Sequence, residues 1–302
     1  MQQASQDFRK FLEPSIISKL NSLELKARFV VEGFMVGLHR SPYHGFSVEF
    51  TEHRPYQQGD SLRDLDWKVF SKTEKYFIKQ YEEETNLKAY ILLDISKSMN
   101  FFSGKNITKI EYSSVLAASL SYIMIKQQDA AGLTLYSDKV NSYLPPKASR
   151  SYLQEILKAL SKIEPSFKTN TAISLNSIAE KIKRKGLVVI ISDLFDDPDM
   201  IITALKHFRH QKNEVIVFQV LDPVERTFAF GQDAIFTDME TGEELTTQPY
   251  QVQKAYKESM EVFINKIKTE CLNANIEYNL IDTSMSFDKA LFSYIQKRSR
   301  LY

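Results

Sequence analysis

The sequence predicts an α/β fold: a doubly wound, mostly parallel sheet with helices on both faces. Three observations lead to this prediction. From residue 88 onward, short apolar segments alternate with segments of helical periodicity, which is typical of a parallel sheet. Residues 90–93 and 187–191 are continuous apolar runs, as expected of central strands buried on both faces. The chain has 302 residues, 43% of them hydrophobic, which is enough to bury a large core without disulfides.

The same patterns assign the individual elements of residues 88–302. We expect strands at residues 89–94, 132–136, 187–193, 215–221 and 276–281. We expect helices at residues 110–127, 149–163, 172–184, 198–210, 250–274 and 285–298. An alternating pattern within residues 224–249 surrounds the turn at 240–243 and predicts a small inserted hairpin.

Residues 1–87 are expected to form an N-terminal extension of helix and β structure. Apolar residues recur every four positions across 8–20 and predict an amphipathic helix, which a glycine-punctuated stretch at 33–45 follows. Alternation predicts strands at 46–50 and 75–82. The charged turn between them, from Arg54 to Lys68, is either a partner-binding or interdomain element or an ion-pair network with Trp67 packed as its anchor. We favour the second interpretation, because dense mixed charges usually pair with one another.

Composition and motifs exclude several classes of function. A net charge of +1 gives no attraction to nucleic acid or to an anionic membrane. The single cysteine, Cys271, excludes an internal disulfide and a cysteine-rich zinc site. The sequence has no phosphate-binding P-loop and no dinucleotide-binding glycine motif after a strand. The polar N-terminus and the short apolar stretch at 115–125 predict a cytoplasmic protein without a membrane span.

Two predicted strands end in aspartate, Asp94 and Asp193. Ligands of open α/β sheets bind beyond the carboxyl ends of the strands, where the strand order reverses. After Asp94, Ser96 and Ser98 alternate along the loop, so that all three side chains can present oxygens to one point. Oxygen donors of this kind favour a hard cation such as Mg²⁺. The alternative is ordinary turn chemistry, in which the same side chains bond to the local backbone.

The combination of Asp94-x-Ser96-x-Ser98, Thr171 and Asp193 resembles the metal-ion-dependent adhesion site (MIDAS) of von Willebrand factor A domains. The resemblance implies a Rossmann-like sheet in which these five residues bind Mg²⁺, or Mn²⁺ or Ca²⁺. The two serines would be the firmest ligands. The threonine ligand is either Thr171 or Thr169, and we prefer Thr171 because an apolar helix position follows two residues later.

The resemblance extends upstream to a second signature. Residues of this signature are Gly45, Glu49, Phe50, Arg54, Tyr56, Gly59, Asp60, Arg63, Asp66, Trp67, Tyr81 and Glu82. Over residues 25–302 the chain resembles the bacterial domain-of-unknown-function family 58, which joins such a block to a von Willebrand A-like domain. The resemblance implies a non-enzymatic adaptor associated with MoxR-type AAA+ ATPases or an aerotolerance operon. Its partner would present an Asp or Glu to the bound ion.

Two other functions remain open from the sequence. Asp94 beside Mg²⁺ could be the nucleophile of a phosphotransferase or hydrolase, although such enzymes carry a second acid two residues on, where this chain has Ser96. Alternatively, the metal site is vestigial and its hydroxyls and carboxylates only order the loops.

Overall fold

The computed structural model describes residues 12–39, 53–55, 67, 70–71, 74–79, 87–104, 106–165, 170–230, 234–237, 244–247 and 249–299. The strands are β1 (His53–Pro55), β2 (Phe77–Lys79), β3 (Lys88–Asp94), β4 (Ala130–Tyr136), β5 (Val140–Lys147), β6 (Leu187–Ser192), β7 (Glu214–Leu221), β8 (Ala234–Thr237), β9 (Glu244–Thr247) and β10 (Glu277–Asp282). The helices are α1 (Pro14–Ile17), α2 (Leu23–His39), α3 (Lys109–Lys126), α4 (Arg150–Ser161), α5 (Thr171–Lys181), α6 (Pro198–His210), α7 (Pro223–Thr227), α8 (Pro249–Asn273) and α9 (Phe287–Ser299).

The central sheet has six strands in the order β10-β7-β6-β3-β4-β5. Every neighbouring pair is parallel except β4 and β5, which are antiparallel. The predicted fold class, a mostly parallel α/β sheet, is therefore confirmed. From β3 the chain first continues to β4 and β5 on one side, and later to β6, β7 and β10 on the other. The strand order thus reverses at β3 and β6, whose carboxyl ends border the crevice where open sheets bind ligands.

Alternation along β3 explains how the sheet is covered on both faces. Ala89, Ile91 and Leu93 belong to one buried cluster, which also contains residues of α2, α3, α4 and α9. Tyr90 and Leu92 belong to the opposite cluster, with residues of α5, α6 and α8. Successive side chains of a strand point to opposite faces, so a continuous apolar run is required wherever both faces are buried.

A close approach of two backbones requires glycine at the start of β6. A Cβ atom at Gly186 would lie 2.0 Å from the carbonyl oxygen of Lys88, the first residue of β3. The backbone N–H of Gly186 is also held in place, because it donates a hydrogen bond of 3.1 Å to Oδ1 of Asn213. The close approach to Lys88 brings the starts of β3 and β6 together, and the bond to Asn213 joins β6 to the start of β7.

Two elements were not predicted from the sequence. The first is helix α2, which contains Gly33 and Gly37 and whose residues Val30, Val31 and Phe34 pack into the main core. Burial of an apolar face outweighs the cost of glycine within a helix. The second is β5, an antiparallel edge strand that contains Pro145 and Pro146. Proline is tolerated on an edge strand, where its missing N–H leaves no ladder bond unmade.

The predicted inserted hairpin is present as the antiparallel pair β8 and β9, preceded by the short helix α7. The predicted strand at 46–50 lies outside the described residues. The packed-anchor role of Trp67 was wrong, because its side chain is 61% exposed and makes an edge-to-face contact with nearby Phe70. The boundary at 87/88 stays a prediction, although the main core contains residues from both sides of it.

Candidate metal centre

Asp94 is the last residue of β3 and is fully buried. Its Oδ1 accepts a hydrogen bond of 2.8 Å from the backbone N–H of Ser96, which turns the chain sharply away from the strand. A short 3₁₀ helix, Lys97–Asn100, follows and brings the Ser98 hydroxyl oxygen to 3.0 Å from that of Ser96. Ser96 is buried and Ser98 only half-buried, so this loop leads from the interior to solvent.

Thr171 is the first residue of helix α5 and is also fully buried. Its hydroxyl donates to Oδ2 of Asp94 over 3.4 Å. The N-cap residue Asn170 makes no side-chain cap bond, and Asp196 supplies the acceptor instead, since its Oδ2 accepts from the Ala172 N–H at 3.1 Å. Asp196 follows β6. The loop after β6 therefore holds the N-terminus of helix α5, whose Thr171 contacts Asp94 at the end of β3.

Ser192 ends β6 and stands opposite Asp94, because the preceding residues Leu93 and Ile191 are paired in the sheet. The Ser192 hydroxyl donates to Oδ2 of Asp94 at 2.6 Å and accepts from the Leu194 N–H at 2.9 Å. Leu194 has a φ of 59°, a left-handed conformation that costs a branched residue about 1 kcal/mol or more. The Ser192 bond helps to hold this strained turn at the carboxyl end of the strand.

Asp193 is buried next to Ser192, and both of its carboxylate oxygens have partners. Oδ1 accepts from the Phe195 N–H at 3.2 Å, and Oδ2 accepts from the ammonium of Lys109 at 2.9 Å. Its backbone carbonyl accepts from the side-chain amide of Gln219 at 2.9 Å. Each carboxylate oxygen has further lone-pair capacity, so these bonds leave room for a cation or a water molecule.

Lys109, the first residue of helix α3, has a side chain with no solvent exposure. Its ammonium also donates to Oε1 of Glu225 at 2.6 Å and lies 4.9 Å from the centre of the Phe195 ring. Burial alone would lower the pKa of Lys109, but the charges of Asp193 and Glu225 outweigh it, and the pKa is raised. The lysine is therefore a permanent positive charge beside the two strand ends.

The charge balance of this region is negative. Burial raises the pKa of Asp94 to about 6, and the charge of Asp193 adds to the rise. Three carboxyl groups, those of Asp94, Asp193 and Glu225, are thus gathered around the ammonium of Lys109. A buried excess of negative charge is costly unless a cation compensates it.

The predicted residues Asp94, Ser96, Ser98 and Thr171 come together in one hydrogen-bonded chain, with Asp193 adjacent to it. Thr169, the alternative threonine, lies outside the described residues. Ser192 was not predicted as a partner of Asp94. Lys109 and Glu225, which come from distant segments, were not predicted as part of the site either. One signal was available for Lys109, because a lysine in the first turn of a helix opposes the helix dipole and needs a reason to be there.

Two further findings concern the described part of the chain as a whole. Within it, no group of three or more His, Cys, Asp and Glu side chains is arranged to hold a metal ion. A cation at the centre described above would consequently depend on hydroxyl oxygens as well as on carboxylates. No helix among the described residues is long and apolar enough to cross a membrane.

Hydrogen bonds also join the loop after Ser98 to the N-terminus of the short helix α7. Asp222 caps helix α7 by accepting from the Val224 N–H at 2.8 Å, and its backbone N–H donates to Oε2 of Glu225 at 2.9 Å. The Asp222 carboxylate also accepts two hydrogen bonds from Ser103, one from the backbone N–H at 3.1 Å and one from the hydroxyl. Ser103 belongs to the loop that continues from Ser98.

Comparisons with known proteins give relatives of limited identity. The chain is 24% identical over 233 residues to an uncharacterised protein of Mycobacterium tuberculosis strain H37Rv, a match covering 76% of this chain and 73% of the relative. An aerotolerance-related membrane protein from Bacteroides fragilis, of known crystal structure, is 21% identical, with 69% of this chain and 98% of that chain covered and a TM-score of 0.47. BatB from Bacteroides thetaiotaomicron is 17% identical, with coverages of 71% and 98% and a TM-score of 0.47.

One family match spans most of the chain. It begins at residue 52, one position before β1, and ends at residue 262, within helix α8. It therefore includes the whole candidate metal centre, from Asp94 to Asp193. Because residues 52–262 match the family described as protein of unknown function DUF58, the protein belongs to that family.

Proposed function

We propose that the centre at the ends of β3 and β6 binds Mg²⁺ and docks an acidic residue of a protein partner on it. The observation that carries the proposal is the meeting of Asp94 and Asp193, both buried, with the hydroxyls of Ser96, Ser98 and Thr171 at the switch point of the sheet. Ser96 and Ser98 would be direct ligands. The aspartates and Thr171 would bind directly or through water.

The chemistry of the donors selects the kind of cation. All the donors are oxygens, which hard cations prefer, and no thiol or imidazole belongs to the set. Mg²⁺ is the first choice because it tolerates few protein ligands and keeps water in its remaining positions. Mn²⁺ and Ca²⁺ are the alternatives. When bound, the ion would supply the positive charge that the buried carboxylates lack.

The docking role follows from the position of the hydroxyl ligands. Ser98 is the half-buried member of the set, so the ion would be approached from its side. A cation bound partly by neutral hydroxyls keeps enough charge to accept a carboxylate from outside. A single such contact is weak, and the surrounding surface must supply most of the affinity. The partner would present Asp or Glu, and the family resemblance suggests a MoxR-type AAA+ ATPase.

Burial of Asp94 supports a ligand role over a nucleophilic one. Its Oδ1 is bonded to the Ser96 N–H and its Oδ2 to the Ser192 hydroxyl, which leaves it poorly placed to attack a phosphoryl group. The proposal is therefore a non-enzymatic adaptor. A phosphatase assay with generic substrates tests the rival directly: metal-dependent turnover that Asp94→Asn abolishes would favour the enzyme.

Calorimetric titration with Mg²⁺ and Mn²⁺ tests the metal site. The wild-type protein should bind, and the double variant Ser96→Ala/Ser98→Ala should lose most of the affinity. The matched control is Ser149→Ala/Ser151→Ala, which removes another pair of hydroxyls that lie 3.1 Å apart but far along the chain from the site. The control should bind as the wild type does. Absence of heat from the folded wild-type protein would contradict the proposal.

Pull-down with a purified MoxR-type ATPase from the same organism tests the docking role. Retention should require Mg²⁺, and it should disappear with a chelator or with Ser96→Ala/Ser98→Ala. Equal retention in all three conditions would move the binding surface away from the ion. We further propose that the protein acts in the cytoplasm, which fractionation of the source cells would test.

A further inference from the structure

The side chain of Lys109 brings a positive charge to the ends of β3 and β6, where the proposed cation would bind. It is fully buried, and its two ion pairs join segments far apart in the chain, Asp193 after β6 and Glu225 in helix α7. A buried ammonium needs carboxylate partners of this kind, because an unpaired one would cost several kcal/mol. The lysine thus fills part of the role that a metal ion would have.

The hydrogen bonds show which ligand is shared. Lys109 occupies Oδ2 of Asp193, and the Phe195 N–H occupies Oδ1. A divalent cation that approached Asp193 would share that carboxylate with the ammonium and would feel its repulsion across a short, poorly screened distance. No comparable cation stands against Asp94, whose described partners are neutral N–H and O–H donors.

We propose that Lys109 is a resident counter-ion of the site, which competes with the divalent cation for Asp193 and sets the metal affinity low. The inference rests on the proposed function of this site. In the metal-free protein the ammonium compensates Asp193, so that the strand ends stay folded. In the metal-bound protein it weakens one ligand, so that the ion remains exchangeable.

Glu225 determines how strongly Lys109 competes. Its Oε1 accepts from the ammonium, while its Oε2 accepts from the Asp222 N–H, so the carboxylate is fixed by the capping box of helix α7. Part of the lysine charge is therefore held away from Asp193. Removing the charge of Glu225 should leave Lys109 to Asp193 alone and make the site less attractive to a cation.

Titration of Mn²⁺ into matched variants tests the inference. Lys109→Met should bind about tenfold more tightly than the wild type, and Glu225→Gln several-fold more weakly. The control is Lys26→Met, which also removes one positive charge from an ion pair. Its partner at 2.6 Å is Glu111, which lies on helix α3, as Lys109 does. The control should bind as the wild type does. Opposite changes in the two test variants identify a charge effect, since loss of local structure would weaken binding in both.

The outcomes separate this inference from the proposed function. Wild-type binding that Lys109→Met does not tighten overturns the counter-ion and leaves the metal site standing. Binding by Lys109→Met but not by the wild type supports the counter-ion and overturns metal binding by the natural protein. Binding by neither overturns both. If Lys109→Met does not fold, Lys109→Gln takes its place: tighter binding than the wild type supports the inference, and unchanged or weaker binding overturns it.

Discussion

The hydroxyl of Ser192 donates a hydrogen bond of 2.6 Å to Oδ2 of Asp94, and it thereby joins the ends of the two central strands. Both residues are fully buried, so water cannot replace the bond if it is lost. The same hydroxyl accepts from the N–H of Leu194, in the strained turn after β6. One small side chain therefore orients a candidate metal ligand and supports the backbone that presents the other.

Replacement of Ser192 by alanine should destabilise the protein by about 1–3 kcal/mol, because it leaves buried polar groups without this partner. Urea unfolding of the metal-free protein would measure the change. Ser119→Ala is the control, since the Ser119 hydroxyl only bonds back to Val115 in its own helix and alanine favours helix. A similar loss of stability in both variants would contradict the special role of Ser192.

The protonation of Asp94 should make stability depend on pH. Its pKa in the folded protein is about 6, above the ordinary value of 3.8. Between these values the folded state binds more protons than the unfolded state, so the contribution of Asp94 to stability falls as pH rises from about 4 to about 6. In chelator, Asp94→Asn should lose this part of the pH dependence.

Denaturant unfolding on both sides of that pH window would measure the effect. Asp138→Asn, in the loop after β4, is the matched control and should retain the pH dependence of the wild type. Added Mg²⁺ should stabilise the wild-type protein more at the upper end of the window, where Asp94 is ionised, than at the lower end. Identical pH profiles for the wild type and Asp94→Asn would exclude a raised pKa.

Replacement of Gly186 by alanine should be strongly destabilising. The new Cβ would lie 2.0 Å from the Lys88 carbonyl oxygen, so β3 and β6 would have to separate at their starts, at a cost of about 3 kcal/mol or more. Gly104→Ala is an instructive comparison, because it meets no atom within 4 Å but has a φ of +59°. It should cost only about 1 kcal/mol. Thermal melting would distinguish the two.

Replacement of Trp67 by alanine should change stability by less than about 0.5 kcal/mol, because the side chain is 61% exposed. Its edge-to-face contact with Phe70 is local and contributes little at such exposure. A melting temperature close to that of the wild type would agree with this expectation. A large drop would mean that Trp67 is an anchor after all.

The parallel strands could be predicted because burial on both faces forces continuous apolar runs, as in residues 187–191. The edge strand β5 could not, because its residues are at most half-buried and it contains Pro145 and Pro146, which argue against a strand in a sequence. Helix α2 was not predicted for a related reason: propensity is local, whereas the packing of Val30 and Phe34 against the core is not.

At the candidate site, the same distinction holds. Asp94, Ser96 and Ser98 lie within one loop, so their spacing alone suggested that they share a ligand. Lys109 and Asp193 are 84 positions apart, and their contact depends on the order of the strands. A sequence pattern predicts which oxygen-bearing side chains lie at the end of a strand. It does not predict that the topology of the sheet brings the Lys109 ammonium next to them.

Two hydrogen bonds from Ser103 to the Asp222 carboxylate connect the loop after Ser98 to a distant segment of the chain. Asp222 starts the short helix α7, which leads to the hairpin of β8 and β9. A shift of the loop that carries Ser98 would strain these hydrogen bonds and, through Asp222, the N-terminus of helix α7. Movement at the proposed cation would thus reach a segment 119 positions away from Ser103 in the chain.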